Sequence, residues 1–113
     1  MSQFEGRGAK RLDSENLVFY RQLDSEGNVQ NEGMVKTIDL SKSGMALEFD
    51  HDVENDTHLE VHIGVGEEVV ETNTIVRNVK KVNDELFIVG VEFKYLSDED
   101  LNKLAMANPD ILS

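Results

Sequence analysis

The chain has 113 residues, a formal net charge of −12 and no cysteine. This length fits a single domain, and the lack of cysteine excludes disulfides, thiolate nucleophiles and cysteine-ligated metals. No apolar run approaches the roughly 20 residues that span a bilayer, and the N-terminus lacks the apolar core of a signal peptide. We therefore expect a cytoplasmic protein without membrane insertion.

The negative charge is concentrated in the second part of the chain. Residues 1–47 hold 6 Lys and Arg against 7 Asp and Glu, which gives −1, whereas residues 48–113 hold 5 against 16, which gives −11. A chain this acidic repels a nucleic-acid polymer, so we expect no such partner. A small anionic ligand would have to bind near the N-terminal arginines.

Alternating apolar residues predict six strands after a polar start. Residues 1–16 contain two glycines and show no sustained period, so we interpret them as a flexible N-terminal arm. The segments of alternating pattern that follow predict strands at 17–23, 34–40, 45–49, 59–65, 69–79 and 87–93. Residues 24–33 and 82–85 are predicted to be turns, and residues 50–57 a solvated acidic loop.

The period changes near the C-terminus. Ser97 is a favourable N-cap, the acidic residues 98–100 suit a first helical turn, and Leu96 can pack on Leu101. The pattern predicts a short helix that Pro109 ends. Short strands joined by turns in a chain this small favour a mainly β fold, a six-stranded antiparallel β-barrel formed by residues 17–113 with a short C-terminal α-helix.

A polar turn with the pattern Asp-x-Ser-x-x-Gly lies between two of these strands, as Asp39, Ser41 and Gly44. Such a turn is often purely structural, with Asp capping backbone N–H groups and Gly supplying a left-handed conformation. It can also bind a ligand, because a carboxylate accepts hydrogen bonds from the guanine N–H edge and a hydroxyl donates or accepts. The turn alone leaves both interpretations open.

Arg7 and Arg11 form an Arg-x-x-x-Arg pattern in the arm. They can be a solvated basic tail, or they can clasp phosphate and guanine, since a guanidinium offers paired N–H donors and a flat stacking face. On an extended arm they lie roughly 13 Å apart, which suits a ligand with separated phosphates and bases. Arg77, in the fifth predicted strand, is interpreted as an outward-facing surface arginine.

Catalysis and metal binding find little support in the sequence. Ser41 and Ser43 lack the context of a nucleophile elbow, and no paired carboxylates are predicted to converge in a pocket. His58 and His62 are four residues apart on a predicted strand, about 13 Å, and cannot share one ion. We expect no catalytic residue, no metal and no cofactor.

Taken together and in order, these motifs resemble the PilZ domain family. The resemblance covers about residues 6–107 and includes the Arg7–Arg11 pair, the Asp39–Gly44 turn, a late Thr74–Arg77 strand and a Gly90–Phe93 ending before the helix. It implies a bacterial receptor for the second messenger cyclic di-GMP, with roles in motility or biofilm control. By the same resemblance the ligand-binding residues are Arg7, Arg11, Asp39, Ser41 and Gly44.

The resemblance also implies how a signal leaves the domain. The ligand would order the arm over the barrel and change a surface that an unidentified downstream protein partner reads. Gly6 precedes the first arginine, at a position that bears in the family on whether one or two ligands bind. The alternative function is a protein–protein interaction domain that uses the same barrel without a nucleotide, with the acidic second part of the chain as its docking face.

Overall fold

A computed structural model describes residues 17–65 and 67–107 of the chain. Six strands are followed by one helix, in the order that the sequence predicts. The strands are β1 (Leu17–Leu23), β2 (Val29–Leu40), β3 (Gly44–Phe49), β4 (His58–Val65), β5 (Glu68–Asn83) and β6 (Leu86–Phe93), and the helix is α1 (Asp98–Ala107). The predicted arm, residues 1–16, lies outside the described residues.

The six strands close into an antiparallel barrel with the order β1-β2-β3-β6-β5-β4. Closure comes from the β1–β4 pair, in which Val18 lies opposite Ile63 and Leu23 opposite His58. A closed barrel gives most backbone N–H and C=O groups a neighbour on both sides. The predicted fold class, a six-stranded antiparallel barrel with a C-terminal helix, is confirmed.

The period-two pattern places one apolar face of each strand inside the barrel. In β1, Val18 and Tyr20 are buried, whereas Leu17 is exposed. The fully buried side chains from the strands are Phe49, Leu47, Leu59, Ile63, Val18, Val61, Val70, Val76, Val89, Thr37 and Thr74. The Thr74 hydroxyl is satisfied inside the core because it donates to the Leu59 carbonyl at 2.9 Å.

The strands β2 and β5 are each five residues longer than predicted, whereas β3, β4 and β6 each begin one residue earlier. Residues 29–33 were expected to belong to a turn, but they are the first part of β2, where Gly33 pairs with Tyr20 and Glu32 with Arg21. The turn itself is confined to residues 24–28, where Gly27 has a φ of 86° and its N–H bonds the Asp24 carbonyl. The strand β5 likewise continues to Asn83, beyond the predicted end at residue 79.

The helix begins as its local sequence predicts. Ser97 accepts a hydrogen bond from the Asp100 N–H at its Oγ, 3.1 Å, and its carbonyl accepts from the Leu101 N–H at 2.8 Å. Leu104 is fully buried, and Leu96 and Leu101 pack partly against the core. Pro109, the predicted end of the helix, lies outside the described residues.

No helix in 17–65 or 67–107 has the length and apolar character that a membrane span requires.

The register places the start of β1 beside the second half of β2. Leu17 pairs with Lys36, and β2 continues from Lys36 to Asp39 and Leu40. Because the two strands are antiparallel, β1 begins on the side of the barrel where the Asp39–Gly44 turn lies. The opposite side carries the β1–β2 and β5–β6 turns and the loop of residues 50–57.

Candidate functional site

The turn between β2 and β3 is held by its own Ser41. The Ser41 Oγ accepts from the backbone N–H groups of Ser43 and Gly44, each at 3.3 Å, and lies 3.2 Å from the Ser43 Oγ. The Ser41 N–H also donates to the Gly44 carbonyl at 2.9 Å, which closes the turn. Ser41 is nevertheless exposed to solvent, so its hydroxyl fixes the turn and stays reachable.

Asp39 is exposed at the end of β2, opposite Ala46 of β3. The β2–β3 register shifts between Thr37 and Asp39, which is where a bulge re-aims a side chain. Within the described residues, no hydrogen bond or ion pair engages the Asp39 carboxylate. It does not cap the turn, as the structural interpretation of the motif would require; Ser41 does that. The Asp39 carboxylate is therefore an acceptor with its lone pairs facing solvent.

Gly44 is required by close packing between strands. A Cβ built at Gly44 would collide with the carbonyl oxygen of Val91 on β6, and Gly44 is buried opposite Glu92. Its φ is not positive, so the expectation that this glycine supplies a left-handed conformation is wrong. The β3–β6 contact explains the glycine without a ligand, and closer approach by a ligand stays a prediction.

An open depression of about 350 Å³ joins this turn to the outer face of β5 and β6. Asp39, Ser41 and Gly44 contribute one wall, and Arg77, Asn78 and Glu92 contribute the other. Gly90 leaves space for the Asn78 amide, because a Cβ there would lie 2.9 Å from its atoms. The volume is at the small end of the range of about 300–1,000 Å³ for sites that bury a small molecule. This depression therefore offers one side of a site.

Arg77 is the only lysine or arginine among the described residues that line this depression. Its Nε donates to Glu92 at 2.8 Å, and its Nη1 lies 3.5 Å from Asp56, while half of the side chain is exposed. The sequence interpretation of Arg77 as an exposed arginine holds, but its place beside Asp39 and Ser41 was missed. The only sequence signal was the Thr74–Arg77 pattern, because the pairing of β5 with β6 brings these residues together.

Without the arm, the charge of the depression disfavours the binding of an anion. The Asp39 and Glu92 carboxylates face it, and Arg77 is already paired with Glu92. Arg7 and Arg11, the predicted cations of the site, lie outside the described residues. Five residues separate Arg11 from Leu17, so the Cα atoms of Arg11 and Leu17 can lie at most about 22 Å apart. Leu17 pairs with Lys36 of β2, and Asp39 lies three residues after Lys36, about 10 Å along the strand. Asp39 is therefore within the reach of the arm.

The turn does not have the arrangement of a serine nucleophile. A hydroxyl nucleophile requires an adjacent general base that a third group orients. Among the described residues, the Ser41 Oγ bonds only to Ser43 and to the backbone of Gly44. No group of three or more His, Cys, Asp or Glu residues in 17–65 and 67–107 is placed to hold a metal ion. The geometry is suited to binding by hydrogen bonds.

A comparison of the sequence with protein-family profiles agrees with the strand order, the turn and the C-terminal helix. The sequence profile of the PilZ domain matches residues 7–107, which is nearly the whole chain and includes both arginines of the arm. The chain belongs to the PilZ domain family. This family consists of receptors for cyclic di-GMP. No curated protein sequence is a significant match to this PilZ domain.

Solved structures of MrkH share the fold. One, described as a novel c-di-GMP dependence transcription regulatory factor, has a TM-score of 0.60 at 16% identity and covers 86% of this chain and 46% of that chain. K. pneumonia MrkH gives a TM-score of 0.62 at 16% identity, over 99% of this chain and 52% of that chain. Its apo state gives the same score and identity, over 99% and 53%. This PilZ domain therefore spans about half the length of those chains.

Proposed function

We propose that this PilZ domain is a cytoplasmic receptor for cyclic di-GMP whose site has two parts. The fixed part is the depression beside Asp39, Ser41 and Gly44, and the second part is the arm with Arg7 and Arg11. The observation that carries the proposal is the exposed Asp39 carboxylate, which has no hydrogen-bond or ion-pair partner among residues 17–65 and 67–107, beside a preformed turn. The chain belongs to a cyclic di-GMP receptor family. Its fold is also that of MrkH, a protein described as a c-di-GMP dependence transcription regulatory factor.

The charge of the depression supports a role for the arm. An anionic ligand gains little from a surface that presents Asp39 and Glu92. Arg7, Lys10 and Arg11 would supply three positive charges, and each arginine can form paired, charge-assisted bonds to a phosphate or stack on a base. In this mechanism Asp39 accepts from guanine N–H groups and the arm encloses the phosphates. Ser41 donates its O–H to an acceptor of the ligand, because its two acceptor sites already bind backbone N–H groups of the turn.

The consequence for signalling is a change of surface. Binding would draw the arm onto the barrel beside the depression, so that a segment predicted from its sequence to be flexible becomes ordered. A downstream partner that recognises either arrangement would then respond to the ligand through the shift in population. The domain needs no reaction of its own to transmit such a signal, which is why we propose a receptor or adaptor and no enzyme.

The direct test is Arg11→Ala with isothermal titration calorimetry of cyclic di-GMP. The loss of one charge-assisted interaction, about 1.5–3 kcal/mol, should weaken binding about tenfold or more. Arg21→Ala is the matched control, because Arg21 pairs with Glu32 and Glu60 on the outer face of the barrel. Affinity equal to that of the wild type in Arg11→Ala would refute the assignment of the site.

Thermal unfolding separates the receptor from an interaction domain that binds no nucleotide. Cyclic di-GMP at 100 times its dissociation constant should add about 2.7 kcal/mol to the free energy of unfolding. The absence of any stabilisation at millimolar ligand would favour the interaction domain. Backbone amide NMR of residues 5–11 with and without ligand tests the ordering of the arm, and unchanged dynamics on saturation would refute that step alone.

A further inference from the structure

The first half of β2 is a free edge within a closed barrel. The strand pairs with β1 from Val29 to Lys36, but its pairing with β3 begins only at Lys36. On the β3 side, residues 29–35 therefore have no strand partner among the described residues. A strand edge presents N–H and C=O groups that another extended segment can bind. The Glu32 N–H donates to the Asn31 Oδ1 at 3.0 Å, and an added strand would replace this local bond.

A groove runs along this free edge. Its volume is about 500 Å³, and six consecutive residues of β2, Asn31 to Lys36, line it together with Tyr20, Asp50 and His51. The Tyr20 side chain is 4% exposed and packs on Phe49, with ring centroids 4.8 Å apart. The free backbone therefore lies beside a concave surface with a rigid aromatic group at its base.

The walls of the groove are acidic. Glu32, Glu48 and Asp50 line it, and Lys36 is the one lysine or arginine among its described lining residues. Arg21, outside the lining, forms an ion pair with Glu32 at 3.4 Å, so Glu48 and Asp50 carry most of the uncompensated negative charge. A hydrogen bond from His51, at 2.8 Å, holds the pKa of Asp50 below its ordinary value, so this carboxylate is ionised at neutral pH. Burial, with the nearby Asp50 charge, raises the pKa of Tyr20, which keeps its hydroxyl neutral.

We propose that the groove binds an extended protein segment with lysine or arginine at alternate positions, which adds as a strand to β2. The backbone of the segment pairs with residues 29–35 of the free edge. In an extended segment the alternate side chains share one face, so one set of cations can reach Glu32, Glu48 and Asp50. Backbone pairing supplies affinity and the alternate side chains supply specificity, as in other cases of strand addition.

A basic segment of another protein fits the groove better than a second copy of this chain. The chain does have a candidate segment, because residues 78–83 of β5 carry Lys80 and Lys81 and have no partner on the β4 side among the described residues. However, a second copy also brings a net charge of −12 to a surface of the same sign. Like charge on both molecules opposes their association.

The proposal is independent of cyclic di-GMP and is tested on the protein without ligand. The probe is the capped peptide acetyl-(Lys-Val)3-amide, titrated into the isotope-labelled full chain and followed by backbone amide NMR. The expected result is saturable shifts of the amides of residues 29–35 and of His51. Shifts spread evenly over the acidic surface would overturn the proposal.

Two comparisons separate strand addition from simple charge attraction. The peptide acetyl-(Lys-Pro)3-amide carries the same charge but lacks alternate N–H donors, and we expect it to bind about tenfold more weakly. The double variant Glu32→Lys with Asp50→Lys should also lose about tenfold in affinity for the Lys-Val peptide. The matched control is Glu67→Lys with Asp98→Lys, two exposed sites outside the groove, with a change of less than about twofold.

Three outcomes would refute the inference. Equal affinity for the two peptides would show that charge alone attracts the probe, and equal losses in both double variants would show the same. Concentration-dependent self-association of the wild type in sedimentation velocity, abolished by Lys80→Glu with Lys81→Glu, would instead assign the groove to a second copy. Circular dichroism and thermal unfolding of each variant establish that it remains folded.

Discussion

Gly44→Ala tests the packing that holds the candidate turn against β6. The added methyl group would meet the carbonyl oxygen of Val91, which is part of the backbone and cannot rotate away. Overpacking of this kind costs about 1–3 kcal/mol. Replacing glycine also reduces the entropy of the unfolded chain, which returns about 0.4–1 kcal/mol. The net loss of unfolding free energy therefore lies between about 0 and 2.6 kcal/mol, with a mid-range value of about 1.3 kcal/mol.

This loss translates into a measurable change of melting temperature. The entropy of unfolding for 113 residues is about 0.24 kcal/mol per kelvin. Gly44→Ala should therefore lower Tm by about 5 °C at the mid-range value, and by at most about 11 °C, in a calorimetric scan. Gly64→Ala is the matched control, because this glycine also lies in a strand but a Cβ there meets no atom within 4 Å. It should leave Tm unchanged or raise it by about 2–4 °C.

Calorimetry with ligand then separates packing from binding. If the proposed role of Gly44 in ligand approach is correct, the alanine variant should also bind cyclic di-GMP more weakly at a temperature where it is folded. A variant with lowered Tm and unchanged affinity would assign Gly44 to the β3–β6 contact alone. A Gly44→Ala protein as stable as Gly64→Ala would refute the packing argument, because β6 would then move away from the added methyl group without loss of unfolding free energy.

Two further predictions concern the barrel. The N–H groups of Asn28 and Glu26 hold the pKa of Asp24 below its ordinary value, so its contribution to stability is present above about pH 3.9 and is lost as the pH falls through the lower folded value. Asp24→Ala should therefore lower Tm at pH 7, with a smaller difference near pH 3; a constant difference would contradict the linkage. Leu104→Ala should cost about 2–5 kcal/mol in urea unfolding because its side chain is fully buried, whereas the exposed Met106→Ala should change it by less than about 0.5 kcal/mol.

Local chemistry made part of the fold predictable. The alternation in β1 and the N-cap at Ser97 each depend on a few neighbouring residues, and both elements begin as predicted. The first part of β2 was not predictable in this way, because Asn31 and Gly33 are residues typical of turns. Pairing with β1 makes residues 29–33 a strand, and the partners in that pairing lie as far as from Gly33 to Tyr20, thirteen positions away.

The candidate site shows the same division between local and tertiary information. Asp39, Ser41 and Gly44 form a motif within six residues, so their proximity follows from sequence. Arg77 reaches the depression because β5 and β6 pair with a register shift between Val76 and Asn78, and no local pattern encodes that shift. The reason for Gly44 was also tertiary, since the atom that excludes a side chain belongs to β6.

The strand β2 connects the two proposed binding surfaces. Its first half borders the acidic groove, and its second half ends at Asp39 beside the depression. The register shift at Thr37–Asp39 lies between these two halves and interrupts the β2–β3 ladder. A change in the twist of the strand costs least free energy at such an interruption. Cyclic di-GMP can influence the groove only if it binds two arrangements of this strand with different affinities. Affinity of the Lys-Val peptide measured with and without saturating ligand determines that coupling, and equal values would make the two surfaces independent.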